Sequence, residues 1–290
     1  MLKLMYITND PEIAVIAENA GVDRIFIDME YIGKSIRQGG MDTVQCFHTV
    51  DDVRRIRKVI KKAQIMVRVN PLHDATDEYC SSEEEINTVI EAGADLVMLP
   101  YFHSAADIER FVKIVNGRAT VFPLLESKDA LDNVDEILAV PGIDEIHVGI
   151  NDISLDLGKK FMFELLADGT VEYLCEKFKK KGIPYGFGGI GRLGNGNLHA
   201  EYVVKEHYRL GSGCAILSRS FCNVNKITDK EEIKKLFTQG IKEIRDLEAE
   251  CQRQSKEYFE KNKEVVKEIV AEIVGEEINE STNNWCLARG

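Results

Sequence analysis

Eight short apolar runs recur along the chain: Leu2–Thr8, Arg24–Glu30, Ile65–Asn70, Leu96–Tyr101, Thr120–Glu126, Glu145–Ile150, Tyr185–Ile190 and Cys214–Arg219. Most are apolar on consecutive residues, as in VFPLLE and LVMLPY, rather than on alternate ones. A strand reads that way when both its faces are buried, which favours a parallel sheet covered by helices. Helical patterns follow nearly every run. Asp10 stands before Pro11 at the start of one, Ser81, Ser104 and Ser127 sit where N-caps belong, and Gly21, Gly93, Gly117 and Gly142 follow the expected ends. Eight such units over about 220 residues favour an α/β fold of the closed kind, a (β/α)8 TIM barrel, over a doubly wound open sheet. The expected organisation is a catalytic barrel over 1–227, an extended C-terminal helix over 228–274 and a disordered tail over 275–290. The 228–274 segment repeats apolar residues at helical spacing (Ile233, Leu236, Phe237, Ile241, Ile244, Leu247) and is longer than a last barrel helix requires. It reads either as a final helix with a frayed tail or as an oligomerising helix that makes the chain a homo-oligomer.

Charge and cysteine content narrow the function classes. A net charge of −12 argues against a nucleic-acid or anionic-membrane surface, since phosphate binding needs a cationic face. The seven cysteines show no CxxC and no zinc spacing with His, so they read as reduced thiols of a cytoplasmic protein. The N-terminus lacks the pattern of an export signal, and no stretch approaches 18 uninterrupted apolar residues.

In a barrel of this kind, side chains at the C-terminal strand ends face the active site. Those positions hold Asp28, Glu30 and Tyr31 after strand 2, Arg68 and Asn70 after strand 3, Glu126 after strand 5, Asn151 and Asp152 after strand 6, and Ser218 and Arg219 after strand 8. Crowded carboxylates repel one another unless a cation or proton intervenes. Glu126 and Asp152 end neighbouring strands, so they can share one hard ion such as Mg²⁺ or Mn²⁺, other divalent metals being open. The absence of an accompanying His argues against zinc. The plainer alternative is a pair of solvated acids capping helices. Arg68 reads either as a substrate ligand or as an ion-pair partner of Asp28 or Glu30.

The stretches RIFIDMEY, VRVNP, PLLESKDAL and VGINDISLDLG, in that order at the strand ends, resemble the HpcH/HpaI aldolase/citrate lyase β-subunit family of the phosphoenolpyruvate/pyruvate barrel superfamily. The resemblance covers roughly residues 10–225. It implies a divalent metal on Glu126 and Asp152, with Arg68 on the carboxylate or keto oxygen of a pyruvate-like group. It also implies an aldol or retro-aldol reaction between a 2-oxo acid and an aldehyde through a metal-stabilised enolate. In the aldolase branch a His that helps proton transfer follows the strand 2 Glu. Here that position is Tyr31, a poor base near neutral pH. The base is left among Glu30, His48 and a metal-bound water, with His48 also readable as a helix-start residue.

Arg37, in the long loop 31–48, either binds an anionic substrate group or is a solvated cation. The glycine-rich stretch Gly188, Gly189, Gly191, Gly194 and Gly196, with Arg192 and Arg219, is either a loose lid or an anion site for a phosphorylated or otherwise acidic substrate. Two further readings stay open. One is a citrate-lyase-like enzyme acting on an acyl-CoA or acyl-carrier thioester. The other is a non-catalytic pyruvate-binding relative.

Overall fold

The computed structural model describes residues 1–33, 47–224 and 226–275. Its centre is a closed barrel of eight parallel strands in sequence order, with β8 paired back to β1. The strands are β1 Lys3–Ile7, β2 Arg24–Asp28, β3 Gln64–Arg68, β4 Leu96–Leu99, β5 Thr120–Leu125, β6 Ile146–Val148, β7 Tyr185–Ile190 and β8 Cys214–Leu217. Every strand expected from the apolar runs is present. Except in β7, the sequence reading runs past the ladder at the C-terminal end, by residues such as Glu30, Asn70, Glu126 and Arg219.

Among the described residues, the helices up to β8 are α1 Pro11–Ala20, α2 Val50–Val59, α3 Ser82–Glu91, α4 Ala105–Val115, α5 Lys128–Asp132, α6 Val134–Ile137, α7 Ile150–Asp156, α8 Glu164–Ala167, α9 Thr170–Lys181 and α10 Ala200–Leu210. Their starts follow from local chemistry. The side chains of Asp10, Ser81, Ser104 and Ser127 each accept a hydrogen bond from a first-turn N–H, satisfying donors that the helix itself cannot. Gly21 takes a left-handed φ of 103° and closes α1, a conformation that side chains with a Cβ resist.

Two apolar layers result. Met5, Phe26, Met66, Leu96, Met98, Phe122, Leu124 and Cys214 fill the barrel interior. A larger core, including Ile25, Val67, Val97, Leu125 and Val148, lies between strands and helices. At the N-terminal end of the barrel, buried Arg24 is gripped bidentately by Glu145 at 2.9 and 2.6 Å, and Lys3 joins the same carboxylate at 2.9 Å. That end is closed by a structural ion pair. The C-terminal end is left for chemistry.

The segment after the barrel is two helices rather than the single one read from its periodicity: α11 Lys230–Cys251 and α12 Lys256–Val274. Ser255 starts the second by accepting from the N–H of Tyr258. Both pack on their own barrel, α11 against α1 and α10, α12 against α10 and α8. Buried Ile233, Phe237, Ile241 and Ile244 form the inward face of α11. Fully buried Glu248 is the polar anchor. Its carboxylate accepts from the Leu2 N–H at 2.5 Å, the Tyr208 hydroxyl at 3.0 Å and Arg245 Nη1 at 2.6 Å.

Candidate active site

The ends of β2 and β3 are tied by a buried ion pair. Arg68, the last residue of β3, donates Nε to Asp28 Oδ1 at 2.8 Å and Nη2 to Asp28 Oδ2 at 2.7 Å. Glu30 Oε2 lies 3.3 Å from the same Nε. Both acids are almost wholly buried, and the guanidinium lies 5.4 Å over the Phe26 ring. Burial opposes the positive charge of Arg68, but Asp28, Glu30 and then Glu126 outweigh it and hold its pKa well above the ordinary value. The third of these influences sets the Glu126 carboxylate near the guanidinium. Among the described residues Nη1 has no hydrogen-bond partner, so one side of the planar fork is committed to the protein and the other is not.

Glu126 follows the last residue of β5 and is 3% exposed. Its Oε1 accepts from the Tyr101 N–H at 3.1 Å, and Tyr101 takes a left-handed φ of 46° to present that donor. On the β6 side the neighbour is Gly149. A Cβ there would stand 2.7 Å from Glu126 Cβ and 2.8 Å from Oε2, so only glycine admits the carboxylate in this position. Gly149 also begins α7, and buried Asp152 stands in the first turn of that helix. Asn151 and Asp152 therefore lie on a helix, not at a strand end as expected. β6 stops at Val148, and the chain turns at Gly149 before reaching them. Asn151 Nδ2 donates to Asp152 Oδ1 at 2.9 Å.

Among the described residues no three of His, Cys, Asp and Glu gather as a ready-made metal cage. A pair of buried carboxylates suits a hard divalent ion that keeps several positions for water and substrate oxygens, as Mg²⁺ does. Carboxylates such as Glu126 and Asp152 are the donor chemistry that Mg²⁺ and Mn²⁺ favour, and neither is the imidazole or thiolate that zinc prefers.

His48 is buried, one residue before the N-cap Thr49 of α2. Its Nδ1 accepts from the backbone N–H of Asp28 at 3.0 Å. A neutral ring that accepts there carries its proton on Nε2. Tyr31 is 41% exposed, and its ring lies 5.6 Å from that of Tyr79. Burial, then the Glu85 carboxylate, push its phenol above the usual tyrosine value, so it too stays protonated at neutral pH.

One arrangement here was not anticipated from sequence. Asn70 Oδ1 accepts from the N–H groups of both Tyr31 and Ile32 at 2.9 Å, while its own Nδ2 donates to Glu85 Oε1 at 2.8 Å. Asn70 and Glu85 thus clamp the turn that follows Glu30. Neither Glu85 nor Gly149 could be picked from spacing, because one hides in a helix start and the other has no side chain.

The remaining expected residues are spread along the rim. Gly189 lies within β7 opposite Ile216, beside a bulge in the β7–β8 register, and a Cβ there would meet Ser218 at 3.4 Å. Arg219 is an exposed residue just past β8. Arg37 lies outside the described residues.

A closed parallel barrel with Asp28, Glu30, Arg68 and Glu126 at the C-terminal ends of its strands defines the class: a (β/α)8 barrel, whose enzymes carry their chemistry at that end. Comparison with known proteins makes this specific. The family model described as HpcH/HpaI aldolase/citrate lyase matches residues 3–164, and the chain belongs to that family. The 4-hydroxy-4-methyl-2-oxoglutarate aldolase of Chaetomium globosum is 24% identical over 228 residues, 67% of this chain and 76% of that protein. The hydroxypyruvate/pyruvate aldolase of Roseovarius nubinhibens is 24% identical over 161 residues, 51% of this chain and 62% of that protein. Among solved structures, the HpcH/HpaI aldolase of Desulfitobacterium hafniense superposes with a TM-score of 0.57 at 17% identity, covering 75% of this chain and 86% of its own. No helix among the described residues is long and apolar enough to cross a membrane.

Proposed function

We propose that the chain is a divalent-metal-dependent aldolase that joins or splits a pyruvate-like 2-oxo acid and an aldehyde. The observation that carries this reading is Arg68. It is a partly buried guanidinium, its side chain 14% exposed, held on one side by Asp28 and Glu30, uncommitted at Nη1, and close enough to feel Glu126. Such a fork suits the carboxylate of a 2-oxo acid. Asp28 and Glu30 fix its plane, so little orientation is lost when substrate binds. Glu126 and Asp152 would hold the cation, which supplies positive charge where the keto oxygen gains negative charge on enolate formation. His48 contributes an Nε2–H donor, and Tyr31 a protonated phenol. The two relatives support the substrate class, since both of their names contain a 2-oxo acid.

The test is proton exchange. Pyruvate incubated with the protein and Mg²⁺ or Mn²⁺ in D2O should lose its methyl proton signal. Glu126→Gln and Asp152→Asn should each slow that exchange by about 100-fold, some 2.7 kcal/mol. Undiminished exchange in either variant, or in protein stripped of divalent ions by EDTA, would sink the proposal. Tyr31 in place of the aldolase-branch His favours a second reading, a lyase acting on an acyl thioester. Release of a thioester product without pyruvate would select it.

A further inference from the structure

Five large apolar side chains are exposed among the described residues: Met1, Tyr31, Phe47, Leu155 and Ile273. Three of them, Tyr31, Phe47 and Leu155, stand on segments that leave the C-terminal ends of strands, the same end as Arg68. Exposed apolar residues scattered singly need no explanation, so contact between side chains decides which of them forms a surface. Tyr31 has such a contact. Its ring lies against that of Tyr79, at 5.6 Å and tilted by 44°. Tyr79 in turn meets the edge of His73 at 6.5 Å. The backbone N–H groups of Tyr31 and Ile32 are both fixed by Asn70, and Asn70 is fixed by buried Glu85.

We propose that the Tyr31–Tyr79 pair is a preorganised aromatic wall that selects the aldehyde half of the substrate, favouring aldehydes with an apolar or aromatic body over small polyhydroxylated ones. The inference rests on the aldolase reading above. Arg68 takes the anionic half, and Tyr31 follows Glu30, whose carboxylate lies 3.3 Å from Arg68 Nε. Two ring faces held in place offer apolar contact at little ordering cost, and they offer few groups to replace the water around a sugar-like hydroxyl chain. The reaction itself is unchanged. The pyruvate methyl carbon loses a proton and bonds to the aldehyde carbon, and the aldehyde oxygen gains a proton.

The experiment compares kcat/KM for aldol addition of pyruvate to benzaldehyde and to glycolaldehyde, using the full chain with Mg²⁺ or Mn²⁺. The unmodified enzyme should prefer benzaldehyde. Tyr79→Ala should lower the benzaldehyde-to-glycolaldehyde ratio about tenfold, whereas Tyr79→Phe should preserve it. Taking the ratio within one variant cancels any effect on the pyruvate half or on the fraction folded. Equal losses for both aldehydes, an unchanged ratio, or a ratio lost in Tyr79→Phe would each overturn the proposal. So would a change in oligomeric mass in Tyr79→Ala, which would make the rings an interface between copies. If pyruvate shows no methyl exchange, the aldolase reading fails and takes this inference with it. If exchange occurs and no aldehyde preference follows, only this inference fails.

Discussion

Replacing Arg68 by alanine should destabilise the fold as well as the site, and the loss should depend on pH in a defined direction. In the parent, the side chains of Asp28 and Glu30 are 3% and 2% exposed, and both form ion pairs with Arg68. Breaking a buried pair by removing one partner costs about 3–5 kcal/mol. Unfolding midpoints of chains of roughly 150–250 residues move about 2–4 °C per kcal/mol. With 290 residues the lower coefficient applies, and the midpoint should fall by about 6–10 °C near neutral pH. In the parent, Arg68 stays charged throughout the accessible range, because its folded pKa is raised above a value that is already high. Its contribution is therefore present at all pH values below the unfolded pKa. In the variant, two neighbouring buried carboxylates lose that guanidinium, which makes the charged pair costlier to bury. Proton uptake by a folded state relieves such a cost, so the relief is present in acid and lost as pH climbs. The deficit relative to the parent should thus be smallest in mild acid and grow toward neutrality. Adding Asp28→Asn to Arg68→Ala should recover much of it. Thermal melts followed by circular dichroism from pH 5 to 8 provide the measurement. A midpoint within 2 °C of the parent at neutral pH, or a deficit that does not vary with pH, would refute the reasoning.

Two further outcomes follow from contacts elsewhere in the molecule. Gly149→Ala should push the Glu126 carboxylate aside, since the new Cβ would fall 2.8 Å from Oε2, and should weaken Mn²⁺ binding by about tenfold while costing about 1–3 kcal/mol of stability. Mn²⁺ titration by electron paramagnetic resonance reads this directly, and unaltered affinity would dissociate Glu126 from the metal. Glu248→Ala should strand the Leu2 N–H and the Tyr208 hydroxyl, while Arg245 keeps Asp23, lowering stability by about 1–3 kcal/mol for each stranded group, as a denaturant titration would register. A loss under about 1 kcal/mol would mean that the carboxylate is dispensable.

The barrel was legible because strands buried on both faces leave continuous apolar runs, and because Asp10, Ser81, Ser104 and Ser127 announce helices through chemistry local to four residues. Two features were read less well. The tail's periodicity continues across the break between α11 and α12, and the signal for that break is one capping serine, Ser255. Asp152 was placed at a strand end because the apolar run through Ile150 hides the turn at Gly149. At the site, Arg68, Asp28 and Glu30 could be paired on paper, since neighbouring parallel strands end together. The tautomer of His48 could not, because it depends on a backbone N–H 20 residues away in sequence. The Asn70–Glu85 clamp is of the same kind: a contact between a strand end and the next helix, with no spacing rule to betray it.

The Glu248 anchor also bears on how the polypeptide is made. The amide at Leu2 meets its partner 246 positions later, so a chain emerging from the ribosome N-terminus first carries β1 without that partner until those residues have been made. The ring can be fastened only when its last quarter has been translated. Contacts of such sequence separation make assembly slow compared with helical bundles of similar stability. A truncation before residue 248 would leave the opening strand without its fastening, even with all eight strands present.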